Sequence, residues 1–341
     1  GLSKALHTAF AFSLAAGVIL TIVGIFFARP ALLLMKTPAD VVDDSAIYLQ
    51  IYFGGIVFNL IYNMGASILR AVGDSKRPLY VLIVTCILNI VLDLFFVVAF
   101  HMGIVGVAVA TVTSQVVSAL IVTGMLLKTR EIYVLKISRI RFDKRMLLSV
   151  LCIGIPAGLE SVMYNISNIV IQVFVNNLGT DTVAAWGTLG KIDAIFWMVI
   201  NAFAISITTF VGQNFGAGKY HRMRKSVRVC MIMSMVSSAV MILLMYGGAP
   251  WIYRLFTTDS AVITHGVHMS RFLLPSYFVY VIIGILSGAL RGTGKVLVPM
   301  ILTCGGVCSL RILWLFTAGQ MYPGINTIML SYPVSWSITA V

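Results

Sequence analysis

Charged residues make up only 10% of this 341-residue chain, and just 11 of them are acidic. A water-facing domain carries about 25% charged residues. A chain this poor in charge and 60% hydrophobic has too little polar surface to cover a soluble fold, so lipid must be its solvent. Histidine is sparse and scattered (His7, His101, His221, His265, His268). His265 and His268 stand three apart without a nearby Glu or Cys, which argues against a metal site. The five cysteines (Cys86, Cys152, Cys230, Cys304, Cys308) show no zinc-type C-x-x-C pairing. They lie in apolar segments and read as small packing residues. No Gly-Lys-Ser/Thr P-loop occurs, which argues against ATP drive from this chain. No clustered His/Asp pair suggests catalysis, so no catalytic residue, enzyme activity or cofactor is expected. The net charge of +13 would suit nucleic acid if the basic residues formed one stripe. They fall in patches between apolar runs instead.

What is present is a series of long apolar runs. A membrane helix needs about 20 largely apolar residues. Ten candidates lie at roughly 8–28, 46–68, 79–100, 104–127, 147–176, 183–211, 229–249, 264–289, 299–318 and 323–341. They are too long and too apolar for barrel strands. Alternate connections collect the basic residues: Lys4; Arg70, Lys76 and Arg77; the run from Lys128 to Arg145; Lys219, Arg222, Arg224, Lys225 and Arg228; Arg291 and Lys295. The others hold Arg29, Lys36 and Arg254 with Asp40, Asp43, Asp44, Asp181 and Asp259. The positive-inside rule makes the first set cytoplasmic, including the connection 128–145, in a plasma (inner) membrane. The expected division is an N-terminal lobe 1–130, a linker 131–145 and a C-terminal lobe 146–341.

The chain is internally duplicated. Leu69-Arg70-x-x-Gly73-x-x-x-x-Pro78 returns as Leu290-Arg291-x-x-Gly294-x-x-x-x-Pro299, 221 residues later. Pro30 and Thr37 match Pro250 and Thr257, and Gly1-Leu2-Ser3-Lys4 corresponds to Gly216-Ala217-Gly218-Lys219. On this register the runs 147–176 and 183–211 have no first-half partners. Gly1 opens without an initiator Met, and Val341 falls inside an apolar run. The chain is therefore expected to be part of a twelve-helix protein, starting after the second helix. Two six-helix repeats of the same orientation would be related by an axis along the membrane normal.

Ionisable groups inside spans are costly and point to function. Six occur: Asp93, Glu160, Lys191, Asp193, Arg271 and Arg311. Asn89 shares a helical face with Asp93 four residues on, and Thr111 and Gln115 have the same spacing on the next span. This oxygen-rich set suits a sodium ion or an exchangeable proton; the other reading is a carboxylate capping a neighbouring helix. Pro156 and the glycines of Gly154-Ile155-Pro156-Ala157-Gly158 are expected to distort their helix and admit close neighbours. Glu160, one turn on, then faces a cavity or pairs with a basic group near the membrane surface. Tyr164, Asn165, Asn168 and Gln172 continue a polar face. Asp193 either attracts a cation or pairs with Lys191, and Arg271 and Arg311 read as ties between helices.

The run Val211-Gly212-Gln213-Asn214-Phe215-Gly216-Ala217-Gly218-Lys219 resembles the signature of the multidrug and toxic compound extrusion (MATE) transporters. So do Leu69-Arg70-x-x-Gly73-Asp74, Gly154-Ile155-Pro156-Ala157-Gly158 and Tyr332-Pro333-Val334-Ser335-Trp336. The resemblance implies an all-α integral membrane protein, here ten transmembrane helices of a twelve-helix, two-lobe duplicated transporter fold. It implies export of organic cations or amphipathic compounds against sodium or proton entry by alternating access, from a protein expected to act as a monomer on small drug-like molecules. It also implies an ion site in the first lobe, where Asn89, Asp93 and Thr111 match three of the prokaryotic members' ligands. Glu160, Tyr164, Asn168, Asp193 and Gln115 are candidates for a substrate or proton pathway. One departure is clear: several members carry an acid eight residues after the proline of the seventh helix, where this chain has Tyr164, and the span 264–289 has no acid. The alternative is a lipid-linked oligosaccharide or lipid flippase of related architecture, which would favour a more cationic cavity.

Overall fold

The computed structural model describes residues 2–34, 38, 41–131 and 133–340. Lys36, Thr37 and Asp40, used above for orientation and repeat matching, lie outside these residues, as do Gly1 and Val341. Ten helical segments follow one another: α1 (Leu2–Leu34), α2 (Val42–Ala71), α3 (Lys76–Ala99), α4 (Gly103–Lys128), α5 (Lys144–Asn176), α6 (Thr180–Gly216), α7 (Tyr220–Arg254), α8 (Ser260–Gly292), α9 (Leu297–Met321) and α10 (Ile325–Ala340). Among the described residues the first nine are long and apolar enough to cross a membrane. Helices satisfy every backbone group internally, which hydrocarbon requires. The α10 segment has 16 residues, shorter than the expected 323–341.

Most helices overrun their apolar stretch. The clearest case is α7, which starts at Tyr220 rather than 229. Its first turns carry Arg222, Arg224, Lys225 and Arg228, good helix formers that prolong the helix into the interface without adding apolar length.

The duplicated motif is a helix stop. After α2, Gly73 (φ 94°) donates its N–H to Arg70 O, and Asp74 N–H reaches back to Leu69 O. After α8, Gly294 (φ 83°) bonds Arg291 O, and Lys295 bonds Leu290 O. The Gly218 turn after α6 repeats this pattern, with Gly218 to Phe215 O and Lys219 to Asn214 O. This paired bonding closes a helix over a left-handed residue, which glycine adopts without a Cβ penalty. Pro78 and Pro299 then sit in the first turn of the next helix, where a missing N–H costs no intrahelical bond.

Two compact units result, Gly1–Leu151 and Cys152–Val341. In the first, α2 packs against α1 and α4, and α3 against α4, around Leu6, Phe10, Leu69, Val122 and Leu126. The connection after α4 is strapped to this unit. Leu135 is buried in the core, and Lys136 N–H donates to His7 Nε2 (3.0 Å). Thr8 Oγ1 bonds Arg141 O and the Asp143 N–H, and Lys4 pairs with Asp143 at 3.1 Å. The Lys4 hydrogen bond and the Met146 N–H hold the Asp143 carboxyl below its ordinary pKa.

In the second unit α6 packs on α7 and α8, and α10 on α8 and α9. Its core includes Phe196, Tyr253, Met269, Leu274, Ile285 and Trp336. The expected close approach at Gly154 and Gly158 is not found; a Cβ on either would meet open space. The α5 helix runs without interruption through Pro156, and its polar face borders a cavity rather than a neighbouring backbone. Close packing occurs at Gly266 instead, where a Cβ would fall 2.0 Å from the Tyr253 ring. Of the cysteines only Cys308 is buried; Cys86 and Cys152 are exposed on their helices, contrary to a packing role.

Candidate functional site

In the first unit, α3 and α4 are consecutive, packed helices joined through residues 100–102. Asp93 and Asn89 precede Phe100 by seven and eleven residues, through the π-helical turn Phe95–Ala99, and Thr111 and Gln115 follow Gly103 by eight and twelve, so the two polar sets stand at similar counts from the connection. Asn89 Nδ2, Asp93 Oδ1 and Gln115 Oε1 are buried and have no hydrogen-bond partner. Buried polar atoms are usually satisfied, so three unpartnered ones on one helix pair are unusual. The Asp93 and Gln115 oxygens are of the type that can ligate a small cation or, for the carboxyl, exchange a proton, while the orphaned Asn89 atom is a hydrogen-bond donor.

In the second unit, α5, α6, α8 and α10 line a cavity of about 670 Å³. The structure brings together here Glu160, Tyr164, Asn165, Asn168 and Gln172 from α5 and Asp193 from α6. Asp193 does not pair with Lys191. The two are two residues apart and so point away from each other; Asp193 is buried while Lys191 is exposed. Asp193 Oδ2 instead accepts the Tyr277 hydroxyl, and Oδ1 has no partner. Glu160 both lines the cavity and pairs with a basic group, Arg291 of the duplicated motif, at 2.6 Å. Gln115, on α4 in the first unit, is not among the residues lining this cavity.

The cavity floor is aromatic, a feature the residue-by-residue reading missed. Trp197 lies 4.8 Å from Tyr280 and 5.1 Å from Tyr277 (centroid distances), and Tyr332 lines the same cavity; Trp336, fully buried behind them, packs within 5.3 Å of both Tyr280 and Tyr332. Such faces attract organic cations. Arg311 is fully buried behind this floor, 4.0 Å from the Tyr332 ring centroid, and its three guanidinium nitrogens have no hydrogen-bond partner. Arg271 lies over Tyr246 at 5.6 Å and ties α8 to α7. His268 Nε2 bonds Asn326 Oδ1 at 2.7 Å. Among the described residues no cluster of three His, Cys, Asp or Glu could hold a metal.

The MatE family profile matches residues 1–95 and 156–317. The chain belongs to the MatE family. It is 28% identical to the "Probable multidrug resistance protein YoeA" of Bacillus subtilis, over 99% of this chain and 75% of that one. It is 21% identical to the "Multidrug export protein MepA" of Staphylococcus saprophyticus, over 93% and 73%. Among solved structures, a MATE in complex with MaL6 superposes with a TM-score of 0.92 at 20% identity, over 99% of this chain and 76% of that one. The fold is therefore the all-helical membrane fold of MATE transporters, whose complete form has twelve helices in two lobes.

The repeat register adds a contrast within this MatE chain. Moving 221 residues along takes Gly103 to Gly324, at the start of the last helix in each half. The same step takes Asp93 to Trp314, Thr111 to Tyr332 and Gln115 to Trp336. Polar side chains in the first half thus become aromatic rings in the second. The two halves share a backbone plan and have divergent chemistry at matched positions.

Proposed function

We propose that this protein exports organic cations and amphipathic compounds from the cell across its plasma membrane, by alternating access, in exchange for sodium ions or protons. The observation that carries the reading is Asp193: a buried carboxylate without a cationic partner, in the wall of an aromatic cavity of about 670 Å³. An organic cation entering there gains ring faces and a counter-charge together. Glu160 is neutralised by Arg291, which leaves Asp193 as the carboxylate free to do this. Asp93, with Asn89 and Thr111, is the coupling site. A ligand shifts a conformational equilibrium only through different affinities for the two states, and ion binding at Asp93 supplies that difference. Family membership and the names of the relatives support efflux; the orphaned carboxylate oxygen of Asp93 supports the coupling site.

Two arginines and two acids lie in or behind the cavity, so its formal charge is balanced. This does not favour the flippase alternative, which needs a cationic site for phosphate. The test is efflux of a fluorescent organic cation from cells expressing the protein, compared with Asp193→Asn and Asp93→Asn at equal membrane abundance. Loss of efflux in both supports the reading; unchanged efflux in Asp193→Asn removes the cavity from it.

A further inference from the structure

A second concavity lies outside the cavity and outside the α3–α4 pair. It is a groove of about 490 Å³ between α6 and α7, floored by Phe203, Ile207 and Phe210 from one helix and Val229, Cys230 and Met233 from the other. Arg222 and Lys225 stand at one end, in the first turns of α7, with the Arg222 guanidinium 5.9 Å from the centre of the Phe210 ring. Neither cation has a carboxylate partner among the described residues. No acidic residue occurs in the sequence between Asp193 and Asp259, so neither helix offers a local counter-ion.

We infer that this groove is a binding site for one anionic phospholipid, its phosphate held by Arg222 and Lys225 and an acyl chain lying on the α6–α7 floor. Three observations converge on that occupant. Both helices are long and apolar enough to span a membrane, and the floor between them is apolar, as a face turned to hydrocarbon would be. The two charges sit only at the end where α7 leaves its apolar stretch, the level of the lipid head groups. From Arg222 to Met233 the helix rises about 16 Å at 1.5 Å per residue, close to half of the roughly 30 Å hydrocarbon core, which is the depth of one leaflet. Basic pockets between membrane helices bind anionic head groups by this complementarity. The same spacing does not suit a soluble anion, which would gain nothing from the apolar floor.

The site is tested by native mass spectrometry of the purified protein titrated with phosphatidylglycerol, with phosphatidylcholine as the neutral comparison. Arg222→Gln/Lys225→Gln removes the charges at the groove. Arg224→Gln/Arg228→Gln removes equal charge from the same turns of α7, at residues that do not line it. Ser206→Trp fills the floor and leaves the cations in place. The expected result is one tightly retained phosphatidylglycerol in the wild type, weakened about tenfold or more by the groove pair and by Ser206→Trp, and less than twofold by the control pair. Equal weakening by both charge pairs would reduce the effect to general attraction at the membrane surface and overturn the site. Unchanged retention in the groove variants, with or without the loss of a dimer mass that would show a second copy covering the groove, would overturn it too. Unaltered thermal unfolding of each variant separates these results from misfolding.

Discussion

Glu160→Gln, Arg291→Gln and the double variant form a cycle that measures one contact. The pair is 2.6 Å apart, with side chains 14% and 33% exposed. At an effective dielectric near 20, the attraction at that distance is about 6 kcal/mol. Desolvation of both ions offsets most of it, leaving about 2 kcal/mol, the range of a hydrogen bond between charged groups. Each single change should therefore cost about 2 kcal/mol, roughly a thirtyfold change in the unfolding equilibrium. The double change should cost far less than the sum, because no charge is left alone. The assay is equilibrium unfolding in mixed micelles followed by tryptophan emission. Transport gives a second readout: Glu160→Gln leaves Arg291 uncompensated at the cavity and should raise KM for a cation, while the double variant should return towards wild type. Additivity of the two single changes within about 0.5 kcal/mol would show that the contact carries no coupling and refute the reasoning.

Gly266→Ala should cost about 1–3 kcal/mol by driving a methyl into Tyr253, whereas Gly154→Ala should be neutral or stabilising by up to about 1 kcal/mol, since it adds a helix former in open space; thermal unfolding compares them. Asp143 has a lowered pKa, so its contribution is complete above the ordinary carboxylate value near 4 and is lost as pH falls through the lowered value. Limited proteolysis of the connection 129–143 should therefore accelerate only below about pH 4, and Asp143→Asn should show the faster cleavage at neutral pH. Replacing His7 by Phe removes the acceptor for Lys136 N–H, and hydrogen exchange at that amide should quicken. Tyr277→Phe deprives Asp193 of its donor and should weaken cation transport less than Asp193→Asn does, as the ratio of kcat/KM values will show.

Much of the fold was legible because the solvent is lipid: ten long apolar runs leave few alternatives to helices, and the duplicated Leu-Arg-x-x-Gly turn announces two related halves. Helix ends were less legible, because apolarity marks immersion and not helicity, as the basic first turns of α7 illustrate. Asp93 and Asn89 stood out by their spacing, which acts within one helix. Partners contributed by distant helices did not. Nothing local ties Tyr277 to Asp193 across 84 residues, or Arg291 to Glu160 across 131. The aromatic floor was hidden for another reason: Trp and Tyr are common in membrane helices, and only the repeat register singles out Tyr332 and Trp336 as the counterparts of Thr111 and Gln115. At Gly154 and Gly158 a packing motif was expected, but the helix uses that stretch beside a cavity.

The most direct test of the account is transport of a fluorescent organic cation in proteoliposomes with an imposed sodium or proton gradient, using the wild type and Asp93→Asn. The account predicts uphill transport driven by one of the two gradients and abolished in the variant, with cation binding to the protein retained. Uphill transport that persists in Asp93→Asn, or that runs with neither gradient, would contradict it.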